Sequence, residues 1–213
     1  MKICVSFFLL IILGTNDNIS FAAKNILFLG DSITEGYGVA TEKSYTSLLE
    51  KRWKKEGKEV NLVVSAISGS TTATGVERFK WISKKPEIFH KIILFLGGND
   101  VLRSIAAEET KKNLGETLKE MNLYASKYPK EKIEIYLVEF KIPKNYGAKK
   151  EKKWKDLYRD LSKKVNFNLI PFPLEDIALK KELNLADGIH PNELGHEKLA
   201  NFFYDYFKEK GQW

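Results

Sequence analysis

The chain has 213 residues, enough for one domain with a core of its own. Hydrophobic residues make up 43% and aromatics 12%, which excludes a disordered or fibrous composition. The formal charge of +7 is interspersed with many glutamates and comes with no nucleic-acid motif, so it reads as a lysine-rich solvated surface. Anionic lipid headgroups or acidic substrates are the other use such a surface has.

Lys2 precedes an apolar run from Ile3 to Leu13, and a polar stretch follows from Thr15 to Ser20. Ser20-Phe21-Ala22 places small residues where a signal peptidase reads. Residues 1–22 are therefore expected to be a secretory signal peptide, leaving a domain over 23–213 that is secreted or periplasmic. The run is too short to span a bilayer comfortably, which disfavours a retained anchor. The only cysteine, Cys4, falls inside this segment, at the start of the apolar run and not after it, so the mature chain is expected to have no disulfide or thiol chemistry.

Short apolar runs then alternate with polar segments of helical period. Strands are expected at Ile26–Gly30, Val60–Ala66, Lys91–Gly97, Ile133–Phe140 and about Asn168–Phe172. Ile92 to Leu96 is apolar without alternation, which suits a parallel strand covered on both faces. Helices are expected at Ser44–Lys55, Val76–Lys84, Glu108–Lys127, Lys150–Val165, Leu174–Glu182 and Asn192–Lys208. Ser44 is a natural N-cap and Gly57 lies near the matching end. This alternation predicts a three-layer α/β/α domain around a mostly parallel five-stranded sheet. In such sheets ligands bind beyond the carboxyl ends of the strands, near a topological switch point.

Four segments at those ends carry reactive chemistry. Gly30-Asp31-Ser32-Ile33-Thr34 follows the first strand and resembles the logic of a nucleophile elbow without its G-x-S-x-G pattern. Ser32 is equally compatible with a helix N-cap. Ser68-Gly69-Ser70 follows the second strand, where a glycine lets backbone N–H approach a ligand or simply makes a turn. Gly97-Gly98-Asn99-Asp100 follows the third, and the Asn99 amide can donate to a developing oxyanion or cap the next segment. Asp187-Gly188-Ile189-His190-Pro191 precedes the last helix. There Asp187 can fold back to hold one ring nitrogen of His190 and leave the other free as a base. Pro191 suits the first position of the final helix. Of the other histidines, His90 lies just before a strand, and His196 lies within the last helix, where a surface position is expected.

Together these segments resemble the SGNH (GDSL) hydrolases, and within them most closely the bacterial periplasmic thioesterase I, arylesterase and lysophospholipase group. Gly36-Tyr37-Gly38, Leu102-Arg103 and Pro143-Lys144-Asn145-Tyr146-Gly147 support the narrower likeness. Two positions depart from it: Ser70 where aspartate is frequent, and Ser104 where glycine is common. The resemblance implies a flavodoxin-like fold and a Ser32–His190–Asp187 triad acting through an acyl-enzyme. It also implies an oxyanion hole from the N–H groups of Ser32 and Gly69 with the Asn99 amide. The expected substrates are small acyl esters, thioesters or lysophospholipids, with transient lipid contact, and the chain is expected to act as a monomer. No cofactor is called for, and no H-E-x-x-H-like metal spacing appears. Gly75 to Ile82 is apolar on one side and either lines an acyl groove or packs as an ordinary helix. A carbohydrate O-acetylesterase on the same fold and a non-catalytic surface-binding module are the alternative functions.

Overall fold

A computed structural model of the chain describes residues 23–142 and 146–211. The expected signal segment, and Pro143-Lys144-Asn145 of the motif that ends at Gly147, lie outside them. Five strands form one parallel sheet: β1 (Lys24–Gly30), β2 (Val60–Ala66), β3 (Phe89–Phe95), β4 (Glu134–Val138) and β5 (Asn168–Ile170). Their spatial order is β2-β1-β3-β4-β5, and every neighbouring pair is parallel. This is the flavodoxin-like order, with its switch point between β1 and β3. The central strands β1 and β3 carry uninterrupted apolar stretches, Ile26–Leu29 and Ile92–Phe95, because both of their faces are covered. Ile26 and Phe28 point into one core and Leu27 and Leu29 into the other, and β3 divides the same way between Ile93 and Ile92.

The first face is covered by α2 (Tyr45–Lys55) and α7 (Glu193–Glu209), through Tyr45, Trp53, Phe203 and Phe207. The opposite face takes α3 (Gly75–Ile82), α5 (Ala107–Ser126) and α6 (Ala148–Ser162), through Phe79, Leu118 and Leu157. Two short helices, α1 (Ser32–Glu35) and α4 (Gly98–Leu102), begin directly at the carboxyl ends of β1 and β3. Ser44 caps α2 as expected, accepting from the Ser47 N–H.

Three local expectations are corrected. Leu174–Glu182 is not a helix: a single turn bonds Ala178 N–H to the Leu174 carbonyl and stops at Leu179, whose φ is +64°. The Asn184 amide takes the carbonyls of Ile177 and Lys180, satisfying groups that a continuing helix would have used. Pro191 does not open α7, because Asn192 is its N-cap and accepts from the Gly195 N–H. His196 is fully buried, not at the surface; its Nδ1 accepts from the Tyr45 N–H at 3.2 Å.

Candidate active site

Ser32 sits where β1 turns into α1. That turn is tight enough that a Cβ at Gly30 would come within 2.1 Å of the Thr34 hydroxyl oxygen. The capping role that Ser32 shares in the sequence belongs to its neighbour: the Asp31 carboxylate accepts from the Ile33 N–H at 3.1 Å. Ser32 is thus the first helical residue, and its N–H is one of those a helix leaves without an internal acceptor. Its hydroxyl is free of capping work and lies 2.9 Å from His190 Nε2.

His190 is carried by the loop between Leu183 and Asn192, which closes on itself. Leu185 N–H donates to the His190 carbonyl, Gly188 N–H to the Leu185 carbonyl, and Asn192 N–H to the Leu183 carbonyl. The Asp187 Oδ1 atom accepts from the N–H groups of Ile189 and His190 at 2.8 and 3.0 Å. Its Oδ2 lies 2.7 Å from His190 Nδ1. Partial burial would raise the Asp187 pKa, but these hydrogen bonds outweigh it and draw the carboxyl down to about 2. The Tyr37 ring leans over the imidazole, with centroids 4.6 Å apart.

Gly69 and Asn99 reach the same pocket from β2 and β3. Gly69 has φ +76°, a conformation a side chain would strain. Two long-range contacts fix its loop. Arg103 donates to the Gly69 carbonyl at 2.8 Å. The fully buried Asp100 carboxylate accepts from the Thr72 N–H and hydroxyl at 2.9 and 2.5 Å, and from the Thr110 hydroxyl at 3.1 Å. Arg78, on α3, ties the carbonyls of Gly30 and Ser65 together behind Ser32. The Asn99 amide donates to Asp31 Oδ2 at 3.2 Å. Ser104, at the position where the resemblance expects glycine, adopts φ +56°.

A groove of about 720 Å³ opens beside Ser32 and runs over Phe140, Ile142, Trp154, Phe172, Leu174 and Leu179. Its floor is shaped by the end of β4, where Tyr158 accepts from the Phe140 N–H and the Trp154 indole donates to the Phe140 carbonyl. The groove is not built from Gly75–Ile82. In that helix Phe79 and Ile82 are buried against the sheet and Trp81 faces solvent, so the ordinary packing alternative is the observed one. Asp31, Asp100 and Arg103 fall within segments quoted from the sequence but had no role assigned there, and Arg78 enters the site without having been singled out for any role. Only Asp31 carried a local signal, as a cap residue immediately before a helix. Among the described residues no group of three or more His, Cys, Asp or Glu is placed to hold a metal ion.

The arrangement brings a hydroxyl, an imidazole and a carboxylate into one hydrogen-bonded line at the switch point, in a pocket that Gly69 and Asn99 line from two neighbouring loops. The chain belongs to the GDSL-like lipase/acylhydrolase family, whose model matches residues 28–198, and is a carboxylic ester hydrolase of that family. It is 30% identical over 181 residues to thioesterase 1/protease 1/lysophospholipase L1 of Escherichia coli (strain K12), an alignment covering 85% of this chain and 82% of that one. It is 32% identical over 172 residues to esterase TesA of Pseudomonas aeruginosa, with 80% and 81% of the two chains covered. Among solved structures, the psychrotrophic esterase EstA from Pseudoalteromonas sp. superposes with a TM-score of 0.77 at 28% identity, over 88% of this chain and 98% of that one.

Proposed function

We propose that the chain hydrolyses acyl esters and thioesters through a covalent acyl-enzyme formed on Ser32. The observation that carries this reading is the pair of short contacts from Ser32 Oγ to His190 Nε2 and from His190 Nδ1 to Asp187 Oδ2, 2.9 and 2.7 Å. His190 takes the hydroxyl proton as the oxygen attacks the acyl carbon, and Asp187 holds the tautomer that leaves Nε2 free to accept. The N–H groups of Ser32 and Gly69 and the amide of Asn99 receive the negative oxygen. His190 then returns the proton to the leaving group and activates the water that releases the acid. Each oxyanion donor of this kind typically contributes about 10²–10³ in turnover.

The groove supplies the substrate side of the reading. Its apolar floor of Phe140, Ile142, Trp154 and Phe172 favours an extended acyl chain over a bare acetyl group, so it weighs against the glycan O-acetylesterase alternative. The names of the relatives, thioesterase, lysophospholipase and esterase, match an acyl chain joined to varied leaving groups. We also infer that residues 1–22 direct export and are removed. N-terminal sequencing of the secreted protein should then begin near Ala23, and a retained Met1 would contradict it.

A panel of p-nitrophenyl esters and acyl thioesters of increasing chain length, run beside acetylated xylan, tests the function. Turnover is expected to rise from acetyl to medium-length chains and to fall about 10⁴–10⁶-fold in Ser32→Ala, which should still fold. Acetate release from xylan as the dominant activity would overturn the acyl-chain assignment.

A further inference from the structure

Asp31 is a carboxylate buried to 4% exposure, and its two recorded hydrogen-bond donors are neutral amides. Burial pushes its pKa up to about 6, only partly offset by the Ile33 N–H, the Asn99 amide and the charge of His190. A helix cap alone does not require this charge, because asparagine and serine cap as well as aspartate does. What distinguishes a carboxylate is that both of its oxygens only accept. Oδ1 is used by the Ile33 N–H and Oδ2 by one N–H of the Asn99 amide. Gly98, next to Asn99, is packed between Asp31 and Phe140: a Cβ there would lie 3.6 Å from Oδ2, in ordinary contact, and 3.0 Å from the Phe140 ring.

We propose that Asp31 is a positioning residue that fixes which way the Asn99 side chain faces, consuming one amide N–H and leaving the other for the acyl oxygen above Ser32. An asparagine at position 31 would keep the cap to Ile33 and nearly the same shape. It would turn an NH₂ group toward the NH₂ group of Asn99, so one of the two amides must flip. If Asn99 flips, its oxygen faces Asp31's place and its donors are aimed wrongly. The inference rests on the reading that Asn99 donates to the oxyanion.

A double-mutant cycle with a water-soluble aryl ester separates the two claims. For Asn99→Ala a kcat loss of about 10²–10³-fold is expected. For Asp31→Asn a loss of at least tenfold in kcat is expected, with KM within about twofold and a melting temperature equal to or above wild type, since a buried charge has been removed. The double variant should be no slower than Asn99→Ala alone, because Asp31 then has nothing left to position. Multiplicative losses, a wild-type kcat in Asp31→Asn, or a lowered melting temperature with proportionate loss of all activity would each overturn the positioning role. A wild-type kcat in Asn99→Ala would instead overturn the oxyanion reading and the inference with it. Should Asp31→Asn fail to accumulate as folded protein, Asp31→Ser, another capping residue, carries the same comparison.

Discussion

The two halves of the site are held in opposite ways. The half that presents Ser32 and Asn99 is buried and tied by contacts between residues far apart in sequence: Asp100 to Thr72, Asn99 to Asp31, and Arg78 to Gly30 and Ser65. The half that presents His190 is a half-exposed loop held by its own neighbours, with Asp187 only three residues from the ring it orients. The buried half is therefore part of the fold, since its polar groups would be left unpaired in a low-dielectric core if the loops moved. The exposed half is a self-contained device set on that platform, and water can replace most of what holds it. Changes that leave buried donors unpaired in the first half should cost stability and turnover together, Asp31→Asn being the exception because it keeps its cap and sheds a buried charge, whereas changes in the second half should cost turnover alone.

The largest expected effect lies in the loop. Asp187→Asn should lower kcat by about 10⁴-fold at neutral pH, because the amide stabilises the wrong tautomer of His190, while denaturation midpoints stay near wild type. A large shift in the midpoint would show that the loop is integral to the fold after all. Because its hydrogen bonds draw the Asp187 carboxyl down to about 2, it stays ionised throughout the neutral and mildly acidic range. An acid limb in the rate profile near neutral pH must then come from another group.

The buried half breaks differently. Asp100→Ala removes one carboxylate that satisfies three donors from Thr72 and Thr110. Urea unfolding should show a loss of roughly 2–4 kcal/mol, with turnover falling as the Gly69 loop is released. Stability within about 0.5 kcal/mol of wild type would show that water satisfies those donors, and the contrast between the halves would disappear.

Beneath the buried half, His196 provides a pH signature. Burial, and to a lesser degree the charge of His190, lowers its pKa from 6.5 to about 4. The unfolded chain binds the extra proton between those values, so stability falls with acidity across that window and recovers as the pH rises. Compared with His196→Gln, the wild type should lose up to about 3 kcal/mol more on going from pH 7 to pH 4. Parallel stability curves for the two proteins would contradict a buried neutral histidine. Asp31, raised to about 6, is common to both proteins and cancels in the comparison.

The sequence is most informative where one segment carries its own signal. The strands announce themselves by apolar runs, and Ser32, Gly69, Asn99 and His190 are legible as residues just past strands or before the last helix. The buried half was less legible because its partners are set by the fold. Nothing near Asp100 in sequence indicates Thr72, and nothing in α3 indicates that Arg78 turns back toward Gly30. The same blindness explains the helix expected over Leu174–Glu182. Leu174, Ile177 and Ala178 have helical spacing, but the Asn184 amide that ends the turn arrives from the next loop. His196 was misjudged because one polar residue on an amphipathic helix gives no hint that a backbone N–H from α2 waits for it.

The role that most needs a direct test is that of Ser32 as the nucleophile that takes up the acyl group. EstA, the similar esterase, was solved inhibited by monoethylphosphonate, and a fluorophosphonate probe applies the same chemistry here. Peptide mass spectrometry of the folded, labelled protein should place a single phosphonyl group on the peptide containing Ser32, and labelling should vanish in Ser32→Ala and fall sharply in Asp187→Asn. Labelling at another serine, or an unmodified Ser32 in protein that still hydrolyses esters, would contradict the account.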